Sequence, residues 1–396
     1  MKRRQFIKRT SLATSAAFVP LFLKPFESSG SLRFEGRNLV IVQLSGGNDG
    51  LNTLVPFNND LYYQNRAKIG LTKSELILLN DEIGLNRGLS PLKRLYDQGY
   101  LAIINSVGYP NPNRSHFRSM DIWHSASGSD QYLSSGWIGR YLDAQCYPPH
   151  AAVEATSNLS LALKGEKVNG FAAGNSLGSM NSQIYNSLAK NFAGDGKEML
   201  SEGNLGYLYK TIADTHSSTG YLKRMMDQSP SGREYPGTSL GRDLKLIADL
   251  IIGGSETSVY YASLGGFDSH QNQGKTQEIR LGIYADAIES FVNDLTKNDK
   301  FKETVIFTFS EFGRRVQENA SEGTDHGTAN VAFVIGDNLK QPGLINTMPD
   351  LSNLDENGDL IYQIDFRAIY STLLSKHLNV KHESIIGSSF GTLDFL

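Results

Sequence analysis

The sequence predicts an α/β fold built on a three-layer, doubly wound and mostly parallel sheet. Two uninterrupted apolar runs, residues 38–44 and 100–107, lack the alternation of a half-exposed strand and are typical of strands buried on both faces of a parallel sheet. In the second half of the chain, amphipathic segments alternate with apolar strands, an order that favours helices on both faces of one sheet. The 396 residues suffice for one large α/β domain or two smaller ones.

The composition excludes several classes of protein. The net charge of −3 lacks the basic excess of a general nucleic-acid binder. Cys146 is the single cysteine, so an intramolecular disulfide and a cluster of thiolate metal ligands are both excluded.

The N-terminus carries an export signature. Arg3 and Arg4 lie in the sequence KRRQFIK, a twin-arginine pattern, and residues 12–23 form a weakly apolar stretch that is too short and too polar for a membrane span. We predict a twin-arginine (Tat) signal over residues 1–30, recognised by the Tat translocon. The mature domain, residues 31–396, is then expected in the periplasm or outside the cell, without a transmembrane segment. No Ala-x-Ala site stands out before Ser31, so retention of the signal as an anchor stays open.

The first strand, residues 38–44, opens into a glycine-rich turn that contains Asp49. Such glycines allow a close backbone approach to a bound group, but no G-x-G-x-x-G or Walker lysine indicates a nucleotide. A serine-proline pair at Ser90 favours the start of a helix that leads into strand 100–107. Beyond that strand, Asn113 or Ser115 is expected to cap a helix, and the Ser115 hydroxyl at a helix N-terminus suits either a nucleophile or an ordinary capping group.

The middle of the chain, residues 130–236, is rich in glycine, serine and asparagine and has poor periodicity. A short helix is expected after Gly136 and a strand near residues 151–155. Because long irregular segments inside a compact enzyme often face the substrate, we interpret this stretch as a cap insertion within a single domain.

The second half alternates predicted helices and strands. The helices are expected at residues 240–252, 281–295 and 366–376, and the strands at residues 258–264, 305–309 and 331–335. Polar groups follow or precede these strands in pairs: Asp268 and His270, Glu311 and Arg314, and Asp325 and His326. Since ligands bind beyond the carboxyl ends of the strands in open α/β sheets, we expect these side chains to lie close together.

Carboxylates and imidazoles without thiolates suit Zn²⁺, Mn²⁺ or Mg²⁺. The predicted metal ligands are the strand-end groups Asp49, Asp268, His270, Asp325 and His326, enough for one or two ions. A two-metal centre would hold an anionic ester. The predicted catalytic groups are Ser115 (or a metal-activated water) as nucleophile, Glu311, and Arg314 or Arg114 to neutralise substrate charge. The alternative is that the two histidines are hydrogen-bonded loop residues.

Several motifs together carry a family resemblance. They are QLSGGNDGLN, NRSHFRSMDIWHS, GWIGRYL, GGFDSHQNQ, SEFGRRVQEN and GTDHGTAN, and they span most of the mature chain. With the twin-arginine leader they resemble the uncharacterised exported family named domain of unknown function 1501 (DUF1501). That family is similar to the alkaline phosphatase and sulfatase superfamily. The resemblance implies an alkaline phosphatase-like fold, a metal aspartate at Asp49, an Asp-His-Gly metal motif at Asp325-His326-Gly327 and a nucleophile at Ser115.

Departures from the superfamily pattern leave the activity open. Asp268 and His270 are separated by one residue where the superfamily usually has Asp-x-x-x-His, and no third histidine follows the Asp-His-Gly motif in a similar context. Ser115 is followed by His116, where small residues are more usual. Either one metal site is degenerate, or the fold is kept without hydrolysis.

Two functions therefore remain. The first is an exported, metal-dependent hydrolase of phosphate or sulfate esters, acting on a small anionic or glycan-linked substrate. The second is a non-catalytic binding or assembly protein of the cell envelope on the same scaffold. A serine esterase that uses Ser115 ranks below both because no G-x-S-x-G motif is present.

Overall fold

A nine-stranded and a three-stranded sheet form the framework of the computed structural model, which describes residues 36–174, 204–228 and 232–396. In chain order the strands are β1 (Asn38–Leu44), β2 (Leu54–Val55), β3 (Leu76–Leu78), β4 (Gly84–Asn86), β5 (Leu101–Gly108), β6 (Ala152–Glu154), β7 (Phe171–Ala172), β8 (Val259–Leu264), β9 (Thr304–Phe309), β10 (Asn330–Gly336), β11 (Gly343–Leu344) and β12 (Ile364–Asp365). The predicted signal at residues 1–30 lies outside the described residues.

Helices cover the central sheet. In chain order the α-helices are α1 (Asp60–Asn65), α2 (Ser90–Asp97), α3 (His116–Ser125), α4 (Trp137–Gln145), α5 (Asn204–Gln228), α6 (Ser239–Ile252), α7 (Gln273–Lys297), α8 (Phe366–Thr372) and α9 (Glu383–Ile386). Asp365 caps the helix that begins at residue 366: its side chain accepts a hydrogen bond from the Arg367 backbone N–H. The last turns of that helix, Leu373–His377, are π-helical. None of the described helices is both long enough and apolar enough to cross a bilayer.

Parallel pairing dominates the central sheet, whose order is β11-β5-β10-β9-β1-β8-β6-β7, with β12 beside β5. Strand β1 pairs in parallel with β8 and β9, and β6 in parallel with β8. Strand β10 is antiparallel to both of its neighbours, β9 and β5. Strands β9 and β10 lie between β1 and β5, so the connection from β1 to β5 skips two strands of the sheet. The mostly parallel character of the sheet is confirmed.

The side chains of β1 alternate between two buried apolar layers. Val40 and Val42 pack with residues of α2, α6 and α7 on one face of the sheet. Leu39 and Ile41 pack with residues of α3, α4 and α8 on the other face. A strand that is apolar on both faces needs a cover on each side, which gives the three-layer α/β architecture. The predicted fold class is thus confirmed.

The described part of the predicted cap, residues 130–236, belongs in part to the core of the domain. Strands β6 and β7 extend the central sheet beyond β8, and Val153 is fully buried there. Trp137 of α4 stacks on Tyr370 with ring centroids 4.5 Å apart. The residues of β6, β7 and α4 are therefore part of the apolar core of the domain. Residues 175–203 and 229–231 lie outside the described residues, and the cap itself stays a prediction.

Candidate metal centre

The loops that follow β1, β8 and β9 pack closely against one another at the carboxyl edge of the sheet. Gly46 has φ +118°, and a Cβ atom there would lie 2.4 Å from the Asp268 backbone N, so a side chain would prevent this approach. The Gly46 N–H donates to Glu311 Oε1 at 2.8 Å. The three loops therefore hold the Asp268 and Glu311 side chains in fixed relative positions.

Three imidazole rings face the Asp268 carboxylate. Asp268 Oδ1 lies 3.0 Å from His270 Nε2 and 3.1 Å from His326 Nε2. The His116 Nε2 atom lies 3.4 Å from Asp268 Oδ2. The Nε2 atoms of His270 and His326 are 3.1 Å apart. Ligand atoms of His116, Asp268 and His326 all lie within 4.8 Å of one another.

The opposite nitrogen of each ring is held by an oxygen acceptor. The Nδ1–oxygen pairs are His116 with Glu311 at 2.8 Å, His270 with Asp325 at 3.1 Å and His326 with the Arg114 carbonyl at 2.8 Å. A carbonyl oxygen only accepts, so His326 Nδ1 carries the hydrogen and its Nε2 carries a lone pair when the ring is neutral. The carboxylates favour the same tautomer in the other two rings. This is the outer-shell arrangement that orients metal-ligating histidines.

The donor set fits a divalent ion. The His116 Nε2 atom is buried and makes no hydrogen bond to any described residue. Neutral imidazole lone pairs and a carboxylate oxygen repel one another at these distances unless a proton or a cation lies between them. The separations of 3.0 and 3.1 Å approach the spacing of about 3.3 Å between ligands of a tetrahedral ion with bonds of about 2.0 Å.

Nearby charges control the protonation of the centre. Burial raises the pKa of Asp268, but its polar contact with His326, a hydrogen bond from Arg314 and the charge of Arg314 outweigh burial and hold that pKa well below its usual range. The hydrogen bond to Glu311 raises the pKa of His116 against the opposing effect of burial. Asp268 is therefore ionised at neutral pH, as a metal ligand must be.

Asp49, predicted as a metal ligand, lies apart from this group. Its Oδ2 atom forms an ion pair with Arg66 at 2.5 Å and accepts from Gln273 Nε2 at 2.5 Å. Its Oδ1 atom accepts from the backbone N–H groups of Leu51 and Asn52 at 3.1 and 3.3 Å. The structure does not bring Asp49 to the metal centre, because its carboxylate is already used by these four donors.

The side chains of Arg314 and Glu311 bond to neighbouring loops and do not face an open surface. The Arg314 side chain is 1% exposed and bonds to Asp268 and to the backbone carbonyls of Gly46, Gly47, Phe267 and Thr324. Arg314 therefore donates to acceptors within the protein, whereas the sequence predicts that it neutralises the charge of a substrate. Glu311 is fully buried and binds both Gly46 and His116, so it positions an imidazole.

An open cleft of about 390 Å³ lies over the centre. It is lined by Arg114, His270, Arg315, Asp325, His326 and Asn357. Ser115 is exposed at the N-cap of α3, and its side chain makes no capping hydrogen bond. Sequence reasoning placed no ligand at His116 and no role at Arg315. Their proximity in sequence to Ser115 and Arg314 was the available signal.

The fold and the site together define an α/β protein with a candidate histidine and aspartate metal centre at the carboxyl edge of its sheet. The sequence profile of the family described as "Protein of unknown function (DUF1501)" matches residues 242–389, which confirms the resemblance found from the motifs. No curated protein matches the chain.

Several solved structures are similar to this chain. The lipoteichoic acid synthase LtaP from Listeria monocytogenes has 9% identity and a TM-score of 0.41, over 91% of this chain and 74% of that one. The C-terminal periplasmic domain of EcEptC from Escherichia coli, in complex with Zn, has 10% identity and a TM-score of 0.36, over 76% and 73%. A protein in the alkaline phosphatase superfamily from Vibrio parahaemolyticus has 12% identity and a TM-score of 0.36, over 79% and 63%. These similarities establish no activity for this chain.

Proposed function

We propose that this protein is an exported hydrolase of phosphate or sulfate esters that depends on one divalent metal ion. One observation carries the proposal: three imidazoles turn their Nε2 atoms toward Asp268 while an oxygen acceptor holds each Nδ1. The ion would be held by Asp268, His116, His270 and His326. Because imidazole ligands suit zinc better than magnesium, we propose Zn²⁺ first and Mn²⁺ second.

The neighbouring residues of the cleft have roles that suit an anionic ester. A bound divalent ion supplies a Lewis acid that stabilises negative charge on a phosphoryl or sulfuryl oxygen. Arg114 and Arg315 line the cleft, and both also contact Asp359. Their side chains remain 34% and 38% exposed, so their charge can attract an anion.

Ser115 is the proposed nucleophile. Its exposed hydroxyl stands at the N-terminus of the ten-residue helix α3, where free N–H groups and the helix dipole favour negative charge. The Ser115 Oγ atom forms a bond to phosphorus or sulfur as the ester bond to the leaving oxygen breaks. The serine proton passes to solvent and the leaving alkoxide takes a proton. A water molecule then attacks the same atom, releases the inorganic anion and restores the hydroxyl. A direct attack by water would leave turnover intact in Ser115→Ala.

Metal analysis tests the proposal first. The purified protein, grown with zinc and manganese supplied, is compared with His326→Ala and with a matched control, His216→Ala, whose histidine is exposed on α5. We expect about one equivalent of metal in the wild type and the control, and loss of that metal in His326→Ala. Folded wild-type protein without metal would contradict the proposal. With metal bound, phosphate and sulfate monoesters are screened for turnover in the wild type and in Ser115→Ala.

The second candidate is a non-catalytic binding or assembly protein of the cell envelope. The engagement of Asp49 and Arg314 favours it, because both side chains are occupied by partners within the protein. Bound metal together with no turnover of any ester would support this candidate over the hydrolase.

Export is the part of the proposal that rests on sequence alone. The twin-arginine pair at Arg3 and Arg4 supports a route through the Tat translocon to the periplasm or beyond. Replacing both residues by lysine should leave the protein in the cytoplasmic fraction. An unchanged distribution between fractions would refute this route.

A further inference from the structure

An apolar cavity lies next to the metal centre. Its volume is about 160 Å³, and its walls are formed by Val107, Gly108, Tyr109, Pro112, Trp123, Glu311, Thr328, Ala329, Asp355, Leu360, Ile361 and Tyr362. Only two of these lining residues carry a charge. An apolar cavity of roughly 150 Å³ in another protein stays dry and binds benzene. A single aromatic ring is therefore the group whose size matches this space.

The cavity and the metal centre share supporting residues. Glu311 lines the cavity, and its Oε1 atom holds His116 Nδ1 at 2.8 Å. Pro112 lines the cavity two residues before Arg114, whose carbonyl oxygen holds His326. The loop of residues 355–362 supplies walls to both the cavity and the polar cleft. A ligand with an anionic end in the cleft thus has an apolar space beside it.

The cavity has an opening to the surface and a rigid aromatic wall. Ile361 is 45% exposed, which places part of the wall at the protein surface. The Trp123 indole, which lines the cavity, stacks on Phe309 at 4.6 Å and on Phe366 at 4.3 Å between ring centroids, so this wall is held in place.

We propose that this cavity binds an aryl group of the substrate, so that the favoured substrates are aryl phosphate or sulfate monoesters. This inference rests on the proposed hydrolase function and narrows its substrate class. An apolar wall rejects a sugar because each hydroxyl buried without a partner costs free energy. Aryl esters are therefore expected to be better substrates than glycan-linked ones.

Turnover by variants of the cavity tests the inference. Ala329→Leu fills the cavity, Ile361→Ala removes part of its wall, and Ile279→Ala is the matched control because Ile279 is 52% exposed on α7 and lines no part of the cavity. For the metal-loaded wild type we expect kcat/KM for the phenyl ester to exceed that for the methyl ester roughly tenfold or more. Ala329→Leu and Ile361→Ala should lower kcat/KM for the phenyl ester and so reduce this preference, and Ile279→Ala should keep it. Equal values for the two esters, or a preference that survives both cavity variants, would overturn the inference.

Binding without turnover separates the two proposals. Phenol is titrated into metal-free protein while tryptophan fluorescence is followed, with Trp123→Phe to assign the signal, since the chain has two tryptophans. A saturable change that is lost in Trp123→Phe and weakened in Ile361→Ala supports the aryl site. That result with no ester turnover would refute the hydrolase and retain the aryl site. Ester turnover without phenol binding or phenyl preference would refute the aryl site and retain the hydrolase.

Discussion

Asp49 and Asp268 follow two neighbouring parallel strands, β1 and β8, whose last residues Leu44 and Leu264 are paired in register. Both aspartates were predicted as metal ligands from this position. The Asp49 side chain is 2% exposed and ion-paired with Arg66, whereas the Asp268 side chain is 48% exposed and faces three imidazoles. A strand end thus brings a carboxylate to the site edge, but its partners decide whether it stabilises the fold or binds an ion.

The partners of the two aspartates differ in whether they can bind a metal ion. The Arg66 guanidinium carries only donors, and it also bonds to Asn52 and to the backbone carbonyls of Arg315 and Val316. Asp49 is therefore held in a permanent buried pair. The imidazoles around Asp268 can be neutral, and each then offers a lone pair. We therefore propose a structural role for Asp49 and a metal-binding role for Asp268, although both aspartates lie at the same edge of the sheet.

The largest expected effect comes from removing each aspartate in turn. Asp49→Ala leaves the buried Arg66 charge without its carboxylate, so the free energy of unfolding should fall by about 3–5 kcal/mol. Asp268→Ala should lower it by about 1 kcal/mol or less, because the carboxylate is half-exposed and Arg314 keeps four backbone acceptors. Urea denaturation in the presence of a chelator measures both values.

The two variants should rank in the opposite order for loss of bound metal. Asp268→Ala should lose its bound metal, whereas Asp49→Ala should keep about one equivalent under conditions in which it is folded. The exposed Asp350 gives a control, Asp350→Ala, that should change neither property. Metal loss in folded Asp49→Ala with retention in Asp268→Ala would refute the assignment of these two roles.

A third acidic residue extends the comparison, because it is buried like Asp49 but lacks the cation that Asp49 has. Glu154 of β6 is 4% exposed, accepts from the Ser160 N–H at 2.6 Å and has no ion pair among the described residues. Burial raises its pKa from 4.5 to about 7. The folded state therefore binds a proton that the unfolded state has released between these pH values, and stability falls as the pH rises through this window.

Glu154→Gln should remove this pH dependence. The difference in unfolding free energy, wild type minus variant, should fall by about 2–3 kcal/mol from pH 4.5 to pH 8, because each unit of pKa shift corresponds to about 1.4 kcal/mol. Taking the difference cancels the other titrating groups. A difference that stays constant across this range would show that the buried carboxyl does not ionise there as its burial implies.

The fold was predictable where short-range apolar pattern decides it. The run at residues 38–44 became β1 without change of bounds, since a strand apolar on both faces has no alternative to the sheet interior. The antiparallel position of β10 between β5 and β9 could not be predicted, because the apolar pattern of a buried strand does not depend on its direction in the sheet.

The site was predictable only in part. Asp268, His270 and His326 were expected together because strand ends share one edge, and their side chains do meet. The pairing of His116 with Glu311 joins residues 195 positions apart, and that of Asp49 with Arg66 depends on how α1 packs. Such contacts arise from tertiary packing, which single-sequence patterns do not encode.

The smallest expected effect concerns Asp325, for which sequence and structure give different roles. The sequence predicts a direct metal ligand, whereas in the structure its Oδ1 atom accepts from His270 Nδ1 at 3.1 Å, a hydrogen bond that is the main cause of its lowered pKa. Loss of an outer-shell carboxylate typically weakens metal binding ten- to a hundredfold. The Asp325 side chain is 60% exposed, so we expect Asp325→Asn to lower zinc affinity about tenfold, the low end of that range.

Competition with a chromophoric chelator measures this affinity, and Asp350→Asn, at a fully exposed aspartate, is the matched control. A loss well above a hundredfold would make Asp325 itself a ligand, as the sequence predicts. An unchanged affinity would remove His270 from the ligand set, because its orientation would then not matter to the ion. The tenfold result alone fits an ion held by Asp268 and three oriented imidazoles. It would add a third role to those of Asp49 and Asp268, because Asp325 would affect metal binding by orienting His270 without contacting the ion itself.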